Sequence, residues 1–253
     1  MHGFHSRGPS ANEAADAIIY ASGPSGKYQL KRYVSMTGIR PAPDESPRYD
    51  RTEILADGAV HAIGILAALA GVAWLISHLP AQAGAKLTTS VWIYGFSLVC
   101  MLTASALYNA AAAGRLKAKL RRLDHAMIFV MIAGSYTPIA LNRFPEFSGH
   151  LLLGLIWSLA FIGIMLKIIA PPRSDYMSVG LYVGMGWVAL GFFPIMIASI
   201  SQRALILLVM GGVVYSAGAL IHAWGRVRFH NVIWHVMVLL GAALQFGAIA
   251  QMV

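Results

Sequence analysis

Residues 53–78 read EILADGAVHAIGILAALAGVAWLISH. No polar side chain stands between His61 and Ser77. Roughly 20 apolar residues are enough for a helix to cross the hydrocarbon core of a bilayer. The stretch therefore predicts a membrane-spanning helix, from about Glu53 to His78. Its first turns carry Glu53, Asp57 and His61, spaced four apart. That spacing places all three on one face of a helix, so the same segment predicts both a span and a polar lining at one end of it.

The rest of the chain extends the pattern. Of 253 residues, 58% are hydrophobic and only 11% are charged, against about 25% charged in a soluble domain. Six further spans follow: about 88–113, 123–142, 150–170, 177–200, 203–224 and 231–253. Pro138 lies near the far end of the third, and Pro171 and Pro172 stop the fourth. The connections are short, so sequence neighbours are expected to be antiparallel neighbours in space. No internal repeat marks an inverted-repeat transporter. Small residues such as Gly180 and Gly184 offer positions for close helix contact. Residues 1–50, rich in Gly, Pro, Ser and charge, predict a mostly disordered cytoplasmic tail before a membrane domain over 51–253. The tail has no apolar core with a cleavage site, so the first span is expected to serve as the targeting signal.

Seven spans put the termini on opposite sides. With the N-terminus inside, the inner segments hold sixteen of the nineteen Lys and Arg residues; only Lys86, Arg143 and Arg203 fall outside. Basic residues favour the cytoplasmic side. The expected fold class is an all-α, seven-helix transmembrane bundle with a cytoplasmic N-terminus and an external C-terminus, in the inner or plasma membrane. The net charge of +9 is explained by these loops. No basic stretch is interleaved with aromatics, which excludes nucleic acid as the partner and leaves membrane lipids. The single cysteine, Cys100, excludes an internal disulfide.

A polar group inside a span is costly unless it is paired or wet. Beside Glu53, Asp57 and His61, the second span carries Ser105 and Asn109, and Asp124 and His125 open the third. His222 lies near the end of the sixth, and Asn231 and His235 lie in the first turns of the seventh. On the inferred topology all of these lie within roughly 10 Å of the inner boundary, and together they predict a polar cavity at that face. An acid at position 124 would also suit a helix N-terminus. The outer half offers mainly Ser135, Tyr136 and Thr137.

The pattern EILADGAVHAIG (53–64), SALYN (105–109), RRLDHAMIFVMIAGSYTPIAL (121–141) and FHNVIWHVMVLLGAALQF (229–246) resembles the bacterial hemolysin III-like branch of the progestin and adipoQ receptor superfamily. The resemblance covers about residues 51–253. It implies seven helices and a zinc ion near the cytoplasmic face. In that superfamily the ligands are a histidine ending a Ser-x-x-x-His motif in the second helix and two in a His-x-x-x-His motif in the seventh, with an aspartate of the third helix nearby. Three protein ligands and a water form a hydrolytic arrangement, so the resemblance also implies ceramidase-like hydrolysis of lipid amides and, in bacteria, membrane-lipid homeostasis.

This sequence departs from the motifs. It reads Ser105-Ala-Leu-Tyr-Asn109 and Asn231-Val-Ile-Trp-His235, with Gln245 where relatives often have another histidine. Asparagine is a poor replacement for imidazole on zinc. Carried over residue by residue, the resemblance gives Asp124 and Ser105 as catalytic positions and His235 as the retained ligand. His61 is the best placed substitute imidazole, while His230 should point elsewhere, about 100° round the helix from Asn231. The expectation is a lipid-homeostasis protein with a metal-poor site and no cofactor. The alternative is a zinc-dependent hydrolase of membrane lipid amides. The third reading, a pore-forming or transport protein, lacks a polar line across the full thickness.

Overall fold

The structure, a computed structural model, describes residues 50–169, 175–224 and 228–252, without the side chains of 175–177. The expected tail over 1–49, the prolines after the fourth span, and Arg173 and Arg226 lie outside the described residues.

Among the described residues, eight α-helices build seven spans. These are α1 (Arg51–Ser77), α2 (Ala85–Ala110), α3 (Arg115–Asn142), α4 (Glu146–Ile169), α5 (Asp175–Gly186), α6 (Phe193–Ser199), α7 (Gln202–Trp224) and α8 (His230–Ala250). The fifth span is α5 and α6 joined by a 3₁₀ turn, Val188–Phe192. All seven spans are long and apolar enough to cross a membrane. Consecutive spans pack on one another and α8 returns onto α1, closing a ring, while α3 also touches α5 and α8. More than half of the spanning window of α2 and α3 is buried (56% each), against 11% of the fifth span, so the core lies around α2 and α3. Outward faces are apolar: Leu66, Phe96, Phe161 and Val213 are all exposed. With lipid as solvent there is no reason to bury them.

Local chemistry explains the ends. Asp50 precedes α1, and its N–H donates to Glu53 Oε2 at 3.1 Å, a reciprocal cap of the first turn. The third helix starts at Arg115, eight residues before the expected Leu123. The basic run RLKAKLRR is helical too; its residues are good helix formers but too polar to register as membrane span. Asp124 and His125 therefore lie well inside α3, and the N-terminal cap reading of Asp124 is corrected. Close helix contacts within the chain fall at other glycines. Added Cβ atoms at Gly180 and Gly184 would meet nothing within 4 Å, whereas at Gly149 and Gly163 they would collide with the Ala140 carbonyl and the Phe129 ring. The tight α3–α4 packing is made there.

Candidate functional site

The polar residues of α1 meet those of α2 and α8 at one end of the bundle. Asp57, His61 and His235 are all buried, at 8%, 6% and 8% exposure. His235 Nδ1 lies 2.5 Å from Asp57 Oδ1. His61 Nδ1 lies 2.8 Å from the Asp57 backbone carbonyl oxygen and 3.4 Å from Oδ2. Both Nδ1 atoms thus have an acceptor belonging to Asp57. An N–H on Nδ1 leaves the lone pair on Nε2, and both Nε2 atoms face the same group. Ser105 Oγ lies 3.2 Å from Nε2 of His61 and 3.4 Å from that of His235. The two rings meet edge to face, 4.3 Å between centroids. One residue therefore orients two imidazoles toward one hydroxyl, His235 through the Asp57 carboxylate and His61 through the Asp57 backbone carbonyl, a tautomer-fixing arrangement known from the outer shell of metal sites.

The two asparagines complete the network. Asn231 Nδ2 donates to Asp57 Oδ1 and to Asn109 Oδ1, each at 3.3 Å. Asn109 Nδ2 donates to the Ser105 backbone carbonyl at 3.0 Å. One turn nearer the start of α1, Glu53 Oε1 accepts the Phe229 N–H at 3.1 Å. This holds the entry to α8, where Phe229 adopts φ 60°, uncommon for a bulky residue.

The cluster divides two hollows. On one side is a chamber of about 1020 Å³, counted to its mouth. His61, Ser105, Asp124 and His235 line one end of it, and Met131, Val238 and other mainly apolar residues line the rest. On the other side is a vestibule of about 1030 Å³, edged by Glu53, Asp57, Asn109, Lys117 and Asn231. His61 borders both.

Of the residues expected at the site, Asp57, His61, Ser105, Asn109, Asn231 and His235 form one hydrogen-bonded unit, with Asp124 on the wall of the chamber and Glu53 at its margin. His125 and His222 stand apart. The His125 carbonyl accepts the Tyr182 hydroxyl, and the His222 ring lies beside His230 and Trp234. The central position of Asp57 is what the sequence understates. Its spacing to His61 was visible, but its bonds to His235 and Asn231 cross 178 and 174 residues of chain.

Ligand atoms of Asp57, His61 and His235 lie within 4.8 Å of one another, so these three could hold a metal ion. Two imidazoles and a carboxylate form a donor set that zinc accepts. Positions 109 and 231 offer amides that bond each other instead.

Comparison with known proteins agrees with this architecture. The model of the family described as Haemolysin-III related matches residues 51–246. The chain is 34% identical over 194 residues to the Hemolysin-3 homolog of Bacillus subtilis (strain 168), covering 77% of this chain and 91% of the relative. It is 31% identical to Hemolysin-3 of Bacillus cereus, with 77% and 89% covered. To the human monocyte to macrophage differentiation factor it is 27% identical over 215 residues, with 80% and 86% covered. No solved structure matches. An all-helical body with seven spans, matched by this family over nearly its whole membrane part, is an integral multi-pass membrane protein, and the chain belongs to the haemolysin-III-related family, a hemolysin III-like branch of the progestin and adipoQ receptor superfamily.

Proposed function

We propose that this protein binds a membrane lipid and acts in membrane-lipid homeostasis, with its N-terminus and polar cluster on the cytoplasmic side. One acyl chain enters the chamber and the polar end of the lipid lies against Ser105, Asp124 and the two imidazoles. The observation that carries this reading is an apolar chamber ending on polar groups that hydrogen-bond to one another across three helices. Such a cluster offers a hydroxyl and a carboxylate to a lipid head. The basic loops support the orientation. The test is the lipid content of purified protein by mass spectrometry. The reading expects an acyl lipid enriched over the surrounding membrane and lost in Val238→Trp, which fills the chamber. A lipid profile equal to that of the bulk membrane, in both proteins, would sink it.

A second reading, hydrolysis of a lipid amide, is favoured by the convergence of Asp57, His61 and His235. The superfamily's own ligand set is incomplete here, because Asn109 and Asn231 replace imidazoles. The donors present fit zinc through His61 instead. When bound, such an ion supplies a Lewis acid and lowers the pKa of a coordinated water. The chain's own part in this reading is positional. Asp57 and His235 hold their shared contact, Ser105 marks where the scissile group lies, and Asp124 accepts a proton on its carboxylate. Metal analysis separates the two readings. About one zinc per chain in the wild type, lost in His61→Ala, favours hydrolysis. Zinc found only in the Asn109→His/Asn231→His double variant favours lipid binding without metal.

A further inference from the structure

The fifth span breaks in the middle of the bundle, and the repair of that break forms the wall between two cavities. Helix α5 ends at Gly186 and the chain continues as a 3₁₀ turn. Backbone groups freed in a membrane interior must find partners. The Tyr136 hydroxyl of α3 donates to the Gly186 carbonyl at 2.6 Å and accepts the Ala189 N–H at 3.2 Å. Trp187, at the break, donates from Nε1 to Ser216 Oγ at 3.0 Å, and Ser216 donates to the Gly212 carbonyl at 2.8 Å. An added Cβ at Gly212 would stand 3.2 Å from the indole, so the glycine lets Trp187 lie against α7. The Tyr136 and Ser216 hydroxyls are thus already engaged with protein.

Beyond the break lies a second hollow of about 680 Å³, counted to its mouth. Ser135, Tyr136, Gly186, Trp187, Gly212 and Gln245 line both it and the chamber. The two hollows therefore adjoin at Trp187. Measured along α3 at 1.5 Å per residue, Asp124 to Tyr136 is about 18 Å. Asp124 to the helix end at Asn142 is about 27 Å, close to the roughly 30 Å of a hydrocarbon core.

We infer that the two hollows form one slot for a single long acyl chain, which passes Trp187 into the second cavity, and that the depth of this cavity beyond the Gly186–Trp187 break sets the greatest chain length the protein accepts. This rests on the lipid reading above. Surrounding lipid is as apolar as the slot, so length is not rewarded by removal from water. Discrimination comes from steric exclusion once the slot ends. Gly186 is the position at which to end it, since a Cβ there meets nothing within 4 Å.

The experiment compares N-decanoyl- and N-stearoylethanolamine binding to the full chain in detergent, by native mass spectrometry. The wild type is expected to hold the stearoyl compound at least as well as the decanoyl one. Gly186→Leu should weaken stearoyl binding about tenfold or more, the scale of an overpacked interior, and leave decanoyl binding unchanged. Val209→Trp, which fills only the second cavity, should do the same and covers the case in which Gly186→Leu does not fold. An unchanged ratio of the two ligands in whichever variants fold overturns the inference and leaves the lipid reading standing. Absence of binding by either ligand to the wild type overturns both.

Discussion

Two regions place polar groups deep in this apolar bundle, and they use them differently. At the Asp57–His235 cluster, side chains of α1, α2 and α8 bond mainly to each other. At the Tyr136–Trp187 break, side chains of α3 and α7 serve a helix that has lost its own bonding pattern. The first arrangement collects reactive groups around a cavity end; the second removes polar demand from a cavity wall. Polarity inside this bundle thus ties three helices together in one case and repairs an interrupted helix in the other. What sets the break apart is that the Tyr136 hydroxyl serves two groups of an interrupted backbone.

Substitutions can break that comparison. The largest effect is expected from Asp57→Ala, which takes the shared acceptor from His235 and Asn231 and leaves buried donors unmatched, at a cost of about 3 kcal/mol. Thermal unfolding in detergent measures it, and lipid retention should fall with stability. If Asp57→Ala destabilised less than changes at the break, the cluster would not be a unit. Next is Tyr136→Phe, which strands the Gly186 carbonyl and Ala189 N–H and should cost about 2 kcal/mol. Unlike the first, it should leave binding of a decanoyl lipid intact in the protein that remains folded. Glu53→Ala removes the α1 cap contact and the acceptor for Phe229, for about 1 kcal/mol, read by the same unfolding assay. The smallest is Ser216→Ala, which removes one acceptor from Trp187 and should cost about 0.5–1 kcal/mol. A shift in the chain length bound by this last variant would show that the indole position itself, beyond the break, tunes the slot.

Legibility in the sequence followed the range of the interaction. The spans were readable because each is a local apolar window, as in the run from Ala62 to Ile76. The place of His61 among the clustered polar residues was readable because it shares a helix face with Asp57, one turn away, in the inner layer. The start of α3 was not, since RLKAKLRR is helical but polar, and an apolar scan stops at Leu123. Nor was the break in the fifth span. Gly184, Gly186, Gly191 and Pro194 stand inside it, but an apolar run gives no periodicity that would locate a broken turn. The pairing of Asn109 with Asn231 joins residues 122 apart, and no local pattern encodes it.

The sequence alone determined that this chain is a seven-span, all-helical membrane protein of the haemolysin-III-related family whose second- and seventh-helix ligand positions carry asparagine. Length, apolarity and motif wording are properties of contiguous residues, so the chain states them directly. Only the tertiary structure decided that Asp57 gathers His61, His235 and Asn231, that the asparagines bond each other, and that two cavities meet at Trp187. Those facts depend on which faces of α1, α2, α3, the fifth span, α7 and α8 are brought together, and packing over the whole bundle fixes that rotation.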